Sequence, residues 1–77
     1  MRYLYKAYRS ICTQKNVSFD ISFGIALYDT AQTPPTLLCQ YDDIFLDAEQ
    51  AKAFAALCTK EQLEPVHFLD VLEDILP

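Results

Sequence analysis

The side chains able to do chemistry are few in this chain of 77 residues, and the most suggestive group lies between residues 67 and 74. His67, Asp70 and Asp74 stand at i, i+3 and i+7, a spacing that puts one imidazole and two carboxylates on the same face of a helix. Such a set suits a divalent cation, or a general base oriented by a carboxylate. Zinc, however, asks for three or four ligands of borderline-soft type, and the chain has no second His. The expected role of His67 is therefore that of a partly exposed side chain among acids, in contact with solvent or with a partner. No metal, cofactor or catalytic role is assigned to it.

Other chemical signatures fail on spacing. Asp42, Asp43, Asp47 and Glu49 lack the alternate acids, the turn glycine and the bidentate glutamate of an EF-hand. The chain's single glycine cannot build a phosphate cradle, and no nucleotide-binding, nucleophile-elbow or zinc-protease motif occurs. A cysteine nucleophile would need His67 as its base, while Cys58 and Cys12 occupy apolar-face positions typical of inert thiols. An enzyme is not expected.

The acids themselves are unusually placed. Asp70, Glu73 and Asp74 fall in the C-terminal half of a helix, where the dipole is already negative and each carboxylate costs about 0.3 to 1 kcal/mol at low salt. Either Arg2, Lys6 and Arg9 of the same chain offset this, or a second chain does, or a basic partner protein. The same three acids rule out a DNA-reading helix, because phosphate would repel a segment reading PVHFLDVLEDIL. At the other end of the chain Tyr3, Tyr5 and Tyr8 stand with Arg2 and Arg9, residue types that interfaces favour. An edge strand there would offer unpaired backbone groups to another chain, unless the tyrosines simply roof the core. The candidate interaction residues are thus His67, Asp70, Glu73, Asp74, Tyr3 and Tyr5.

These side chains need elements to position them. Val17, Phe19, Ile21, Phe23, Ile25 and Leu27 alternate with smaller or polar residues, which predicts a strand of about eleven residues with one buried face. Ile21 and Phe23 are expected in its core. Tyr3, Tyr5, Ala7 and Ile11 predict a preceding strand, and Gln14-Lys15-Asn16 a three-residue hairpin loop. That loop pairs Ile11 with Phe19, Ala7 with Phe23 and Tyr5 with Ile25, and leaves Arg9 opposite Ile21. Thr33-Pro34-Pro35-Thr36 ends the second strand. A third strand is expected from Leu37 to Ile44.

From Asp47 the period changes. Asp47 can cap, Gln50 completes a capping box, and Ala51, Phe54, Ala55 and Cys58 follow at helical spacing, so a helix is expected over 48–60. Pro65 suits a first helical position, and Phe68, Leu69, Leu72, Ile75 and Leu76 mark the apolar arc of a second helix over 65–76. The short connection between them predicts an antiparallel helical hairpin. The order β-β-β-α-α defines an α+β fold, a three-stranded antiparallel meander packed on one face by the two-helix hairpin.

LEPVHFLDVLEDIL at 63–76, YDDIFLD at 41–47 and FGI at 23–25 together resemble a family of small uncharacterised proteins of Firmicutes bacteria, a domain of unknown function. Thr59 stands where that family has Asn, and Leu72 where it usually has Ile. The resemblance implies no established activity.

Composition bounds the rest. At 77 residues and 52% apolar types, the chain has room for one domain, 1–77, and enough greasy surface to fold it. It carries a net charge of −5, divided between +4 over residues 1–15 and −9 over residues 16–77. So acidic a chain, with pI near 4.5, is not expected to bind nucleic acid or anionic membrane. It has no apolar run long enough for a bilayer and no signal-like stretch, and its three cysteines form no C-x-x-C pair. A cytoplasmic setting with reduced thiols is expected. The reading that follows is a small non-catalytic protein-interaction or regulatory module using an acidic helix face. The alternative is an accessory subunit stable only as a homodimer. The expected partner is a protein or a second copy, with no nucleotide involved.

Overall fold

The computed structural model describes residues 2–11 and 21–75, so the expected loop at Gln14-Lys15-Asn16 and the first residues of the second strand lie outside the described residues. Three strands, β1 (Tyr3–Ile11), β2 (Ile21–Asp29) and β3 (Thr36–Phe45), form one antiparallel sheet in the order β1-β2-β3. Two helices follow, α1 (Ala48–Lys60) and α2 (Pro65–Ile75), giving the α+β order β-β-β-α-α. The core fills one side of the sheet. Tyr5, Ile25 and Leu27 from the strands meet Ala51, Ala55 and Cys58 from α1, and Phe68 and Leu72 from α2.

The period-two pattern fixes which residues face that core, because only an odd shift would turn the strand over. It does not fix which even register is used. Ile11 pairs with Ile21, Ala7 with Ile25 and Tyr5 with Leu27, two residues along β2 from the expected partners. The observed register places Tyr3 opposite Asp29, where the Arg2 guanidinium reaches the Asp29 carboxylate at 3.5 Å. It also places Ile21, at the start of β2, away from the core that the helices cover. Ile21 is consequently 51% exposed and Phe23 only half-buried, so the core is centred on Ile25 and Leu27 instead. Arg9 pairs with Phe23, not Ile21, and is exposed.

β3 follows β2 less regularly. Its register shifts between Phe23 and Ile25 and again between Leu27 and Tyr28, and within the first shift Asp43 adopts φ 59°. Asp and Asn tolerate that left-handed conformation better than most residues. The bulge turns the chain over the face of the sheet away from the helices. There the Asp43 N–H donates to Ser10 Oγ at 3.1 Å, Ser10 and Ser22 share a hydroxyl contact at 2.9 Å, and Tyr8 donates its phenol to Asp42. Gly24 lies beneath this cover. A Cβ there would sit 2.6 Å from Tyr8 Cζ and against the Tyr41 carbonyl oxygen, so the close approach of β3 and of the Tyr8 ring requires glycine. The Thr33–Pro34 peptide in the turn before β3 is cis.

Both helices begin on identifiable chemistry, and α1 also ends on it. Asp47 caps α1, its carboxylate accepting from the Glu49 N–H at 3.0 Å. At the other end Gln62 N–H donates to the Thr59 carbonyl and Leu63 N–H to that of Cys58, both at 3.1 Å, which is the paired bonding of a Schellman motif. Its left-handed position is held by Gln62 at φ 50°. α2 starts at Pro65 and reaches the core through Phe68, whose ring lies 5.0 Å from that of Tyr5 and 6.3 Å from that of Phe54.

Candidate interaction surface

Placed at 100° per residue, α2 turns Phe68 and Leu72 inward, while Leu69, Glu73, Val66, Asp70, Asp74 and His67 cover the outward arc. All six of these are exposed. Val66, between Glu73 and Asp70 on that arc, is 70% exposed although its side chain is apolar. His67, Asp70 and Asp74 do share one face, as their spacing requires. They form no hydrogen bond or ion pair through their side chains, and no group of His, Cys, Asp and Glu suited to a metal occurs among the described residues. Arg2, the one basic residue in an ion pair there, is engaged by Asp29, so the acids of α2 are not offset from within the described chain. α2 has no basic residue in its last turn.

Tyr5 and Tyr3 of β1 take the alternative place, on the core side of the sheet. Tyr5 is a core residue, 3% exposed, its ring against Phe68 and its phenol donating to the Leu63 carbonyl. Burial pushes its ionisation well above the ordinary tyrosine range, with smaller contributions from the neighbouring Cys58 and Cys39. Tyr3 is half-buried against the same core, with Arg2 stacked over its ring at 5.3 Å. Neither ring forms a projecting contact surface. The physical reason is the alternation of β1, which sends odd-numbered side chains to the helical side.

The backbone edge of β1 is occupied over its first half, by two residues whose role the sequence pattern did not reveal. Gln62 Oε1 accepts from the N–H groups of Arg2 and Tyr3 at 2.9 and 3.0 Å, and its Nε2 donates to the Tyr3 carbonyl at 2.9 Å. Thr59 Oγ1 accepts from the Tyr5 N–H at 2.9 Å and lies within reach of the Tyr5 and Ala55 carbonyls. Together they replace a missing fourth strand over the first half of β1. The signal that marks Gln62, a long amide just past a helix end where glycine is usual, becomes readable only once the strand beside it is known.

Farther along β1 lies a groove of about 630 Å³, walled by Lys6 and Ala7 on the strand and by Lys52, Ala55, Ala56 and Lys60 on α1. Cys58, on the inner side of α1, is a buried free thiol whose pKa is pushed up to about 11 by burial, and Cys39 is half-buried and shifted the same way. Neither has the lowered pKa of a nucleophile. No helix of the described chain is long and apolar enough to cross a membrane. Comparison of the chain with protein-family models, with curated proteins and with solved structures finds no match in any of the three.

Proposed function

We propose that this chain is a small non-catalytic protein-interaction or regulatory module whose docking surface is the outer face of α2. The observation that carries this reading is Val66, exposed between Glu73 and Asp70 on an arc that continues to Asp74, acids with no charge partner among the described residues. An exposed apolar residue bordered by acids resembles part of the centre and rim of a protein interface. The partner it fits is a protein presenting basic side chains around an apolar depression. The free thiols of Cys39 and Cys58 support a cytoplasmic setting.

The test compares capture from a native lysate by the wild-type chain and by a Val66→Ser, Asp70→Asn, Asp74→Asn variant with an unchanged circular dichroism spectrum. A specific protein retained by the first and lost by the second is expected. An identical captured set would overturn the reading. The second reading, an accessory subunit stable only as a homodimer, is favoured by the apolar side chains of Leu37, Leu38 and Leu46, which are exposed on and just after β3. It requires a doubled mass by light scattering and a Tm that climbs with protein concentration.

A further inference from the structure

We infer that the groove between β1 and α1 receives an extended acidic segment of another protein, which adds a fourth strand to the sheet at Ala7–Arg9. The first support is backbone bonding. Residues of β1 whose N–H and C=O point away from β2 are the odd-numbered ones, as Tyr3 and Tyr5 show by bonding to Gln62 and Thr59. Alternation gives the same outward direction to Ala7 and Arg9, and no side chain of the described residues meets their outward groups. The strand-substituting contacts therefore end at Tyr5 and Thr59, which line the same groove as Ala7.

The second support is the shape of the groove. α1 runs antiparallel to β1, since Tyr3 meets Gln62 and Tyr5 meets Thr59, and beyond Thr59 the helix lines the groove with Ala56, Ala55 and Lys52. Small side chains leave space for a backbone beside the strand. Two turns of helix separate Lys52 from Lys60, roughly 12 Å along the axis, a length that about four strand residues cover. Acids four positions apart on one face of an added strand would thus meet both.

The third support is charge, which also selects the occupant. Lys6, Lys52 and Lys60 border the groove, with no acid among the lining residues, and Arg9 is exposed farther along β1. A second copy pairing β1 with β1 would set these cations against their own equivalents, a like-charge juxtaposition that disfavours the symmetric dimer. The acidic β3 of a second copy is a poor donor, because two register shifts and the left-handed Asp43 break its edge. β1 keeps an uninterrupted register from Tyr3 to Ile11. Its occupant is an acidic strand from a different protein, recognised by main-chain bonds for affinity and by lysines for charge.

The experiment uses the full chain labelled with nitrogen-15 and a short peptide of alternating Glu and Val. The expected result is a shift of the Ala7 and Arg9 amide signals, with slowed hydrogen exchange at both, and no shift with the matched Lys and Val peptide. Lys52→Glu with Lys60→Glu should lower the peptide affinity by roughly tenfold or more, and N-methylation of alternate peptide residues should abolish it. Failure of the acidic peptide to shift those amides would overturn the proposal, as would equal binding by the charge-reversed variant or by the N-methylated peptide. Light scattering that shows self-association lost on Lys52→Glu would do the same in favour of a second copy. The inference does not rest on the α2 reading, and the Val66→Ser, Asp70→Asn, Asp74→Asn variant should bind the peptide like the wild type.

Discussion

At the scale of single residues, Gln62 shows how one side chain can settle two problems. Its backbone occupies the left-handed region at φ 50°, which costs a non-glycine residue about 1 to 2 kcal/mol. Its amide offsets that cost by bonding Arg2, Tyr3 and Thr59, closing the edge of β1 and fastening the helix end to the strand in one contact. Partly exposed hydrogen bonds contribute only about 0.5 to 1.5 kcal/mol each on balance, yet this residue makes several. Gln62→Ala, which keeps the strain and loses the bonds, should lower stability by about 2 kcal/mol in urea unfolding. Gln62→Gly should fall between Ala and wild type, because glycine removes about 1 kcal/mol of strain. An alanine variant as stable as the wild type would mean that the clamp contributes nothing. Tyr8 over Gly24 is a second case, where a phenol covers the position at which β3 passes too close for any Cβ.

At the scale of elements, the sheet and α1 support one another along a strand, whereas α2 fully buries only Phe68 and Leu72, with Pro65 and Val71 partly covered and its other side chains exposed. Phe68→Ala removes a fully buried ring that touches Tyr5, Tyr41 and Phe54, and should cost about 3 to 5 kcal/mol. Ile21→Ala, by contrast, truncates a side chain already half in water and should cost under about 1 kcal/mol. Denaturant midpoints for the two variants check the ordering, and a reversed order would move the core back toward the start of β2. The acids of α2 make a further prediction. Because Asp70 and Asp74 have no partner among the described residues and sit toward the negative end of the helix dipole, Asp70→Asn with Asp74→Asn should stabilise the isolated chain by at least about 0.3 kcal/mol at low salt, and by less at high salt. A loss of stability would show that the carboxylates are bonded after all.

At the scale of the whole molecule, a chain of 77 residues buries a modest core, and its net stability is a small difference between large terms. Alkaline pH should therefore be destabilising. The Cys58 thiol has its folded pKa raised to about 11 by burial, against an ordinary value near 9.0. Below about pH 9 the thiol is protonated in both states and its contribution is fully present. As pH rises toward 11 the unfolded thiol ionises while the folded one does not, so stability falls, and the buried Tyr5 phenol extends the same trend to higher pH. Tm measured from pH 8 to 11 should decline, and Cys58→Ala should flatten the decline, whereas an unchanged slope would place the effect elsewhere. The sequence by itself determined the type and order of the elements, the limits of α1 and the exposed acidic arc of α2, because periodicity, capping residues and proline act within a few neighbouring residues. Only the tertiary structure decided the pairing of β1 with β2, the burial of Tyr5, the clamp of Gln62 and the lysine groove. Even-numbered shifts of a strand present the same faces to the core, and contacts spanning some sixty residues leave no local trace.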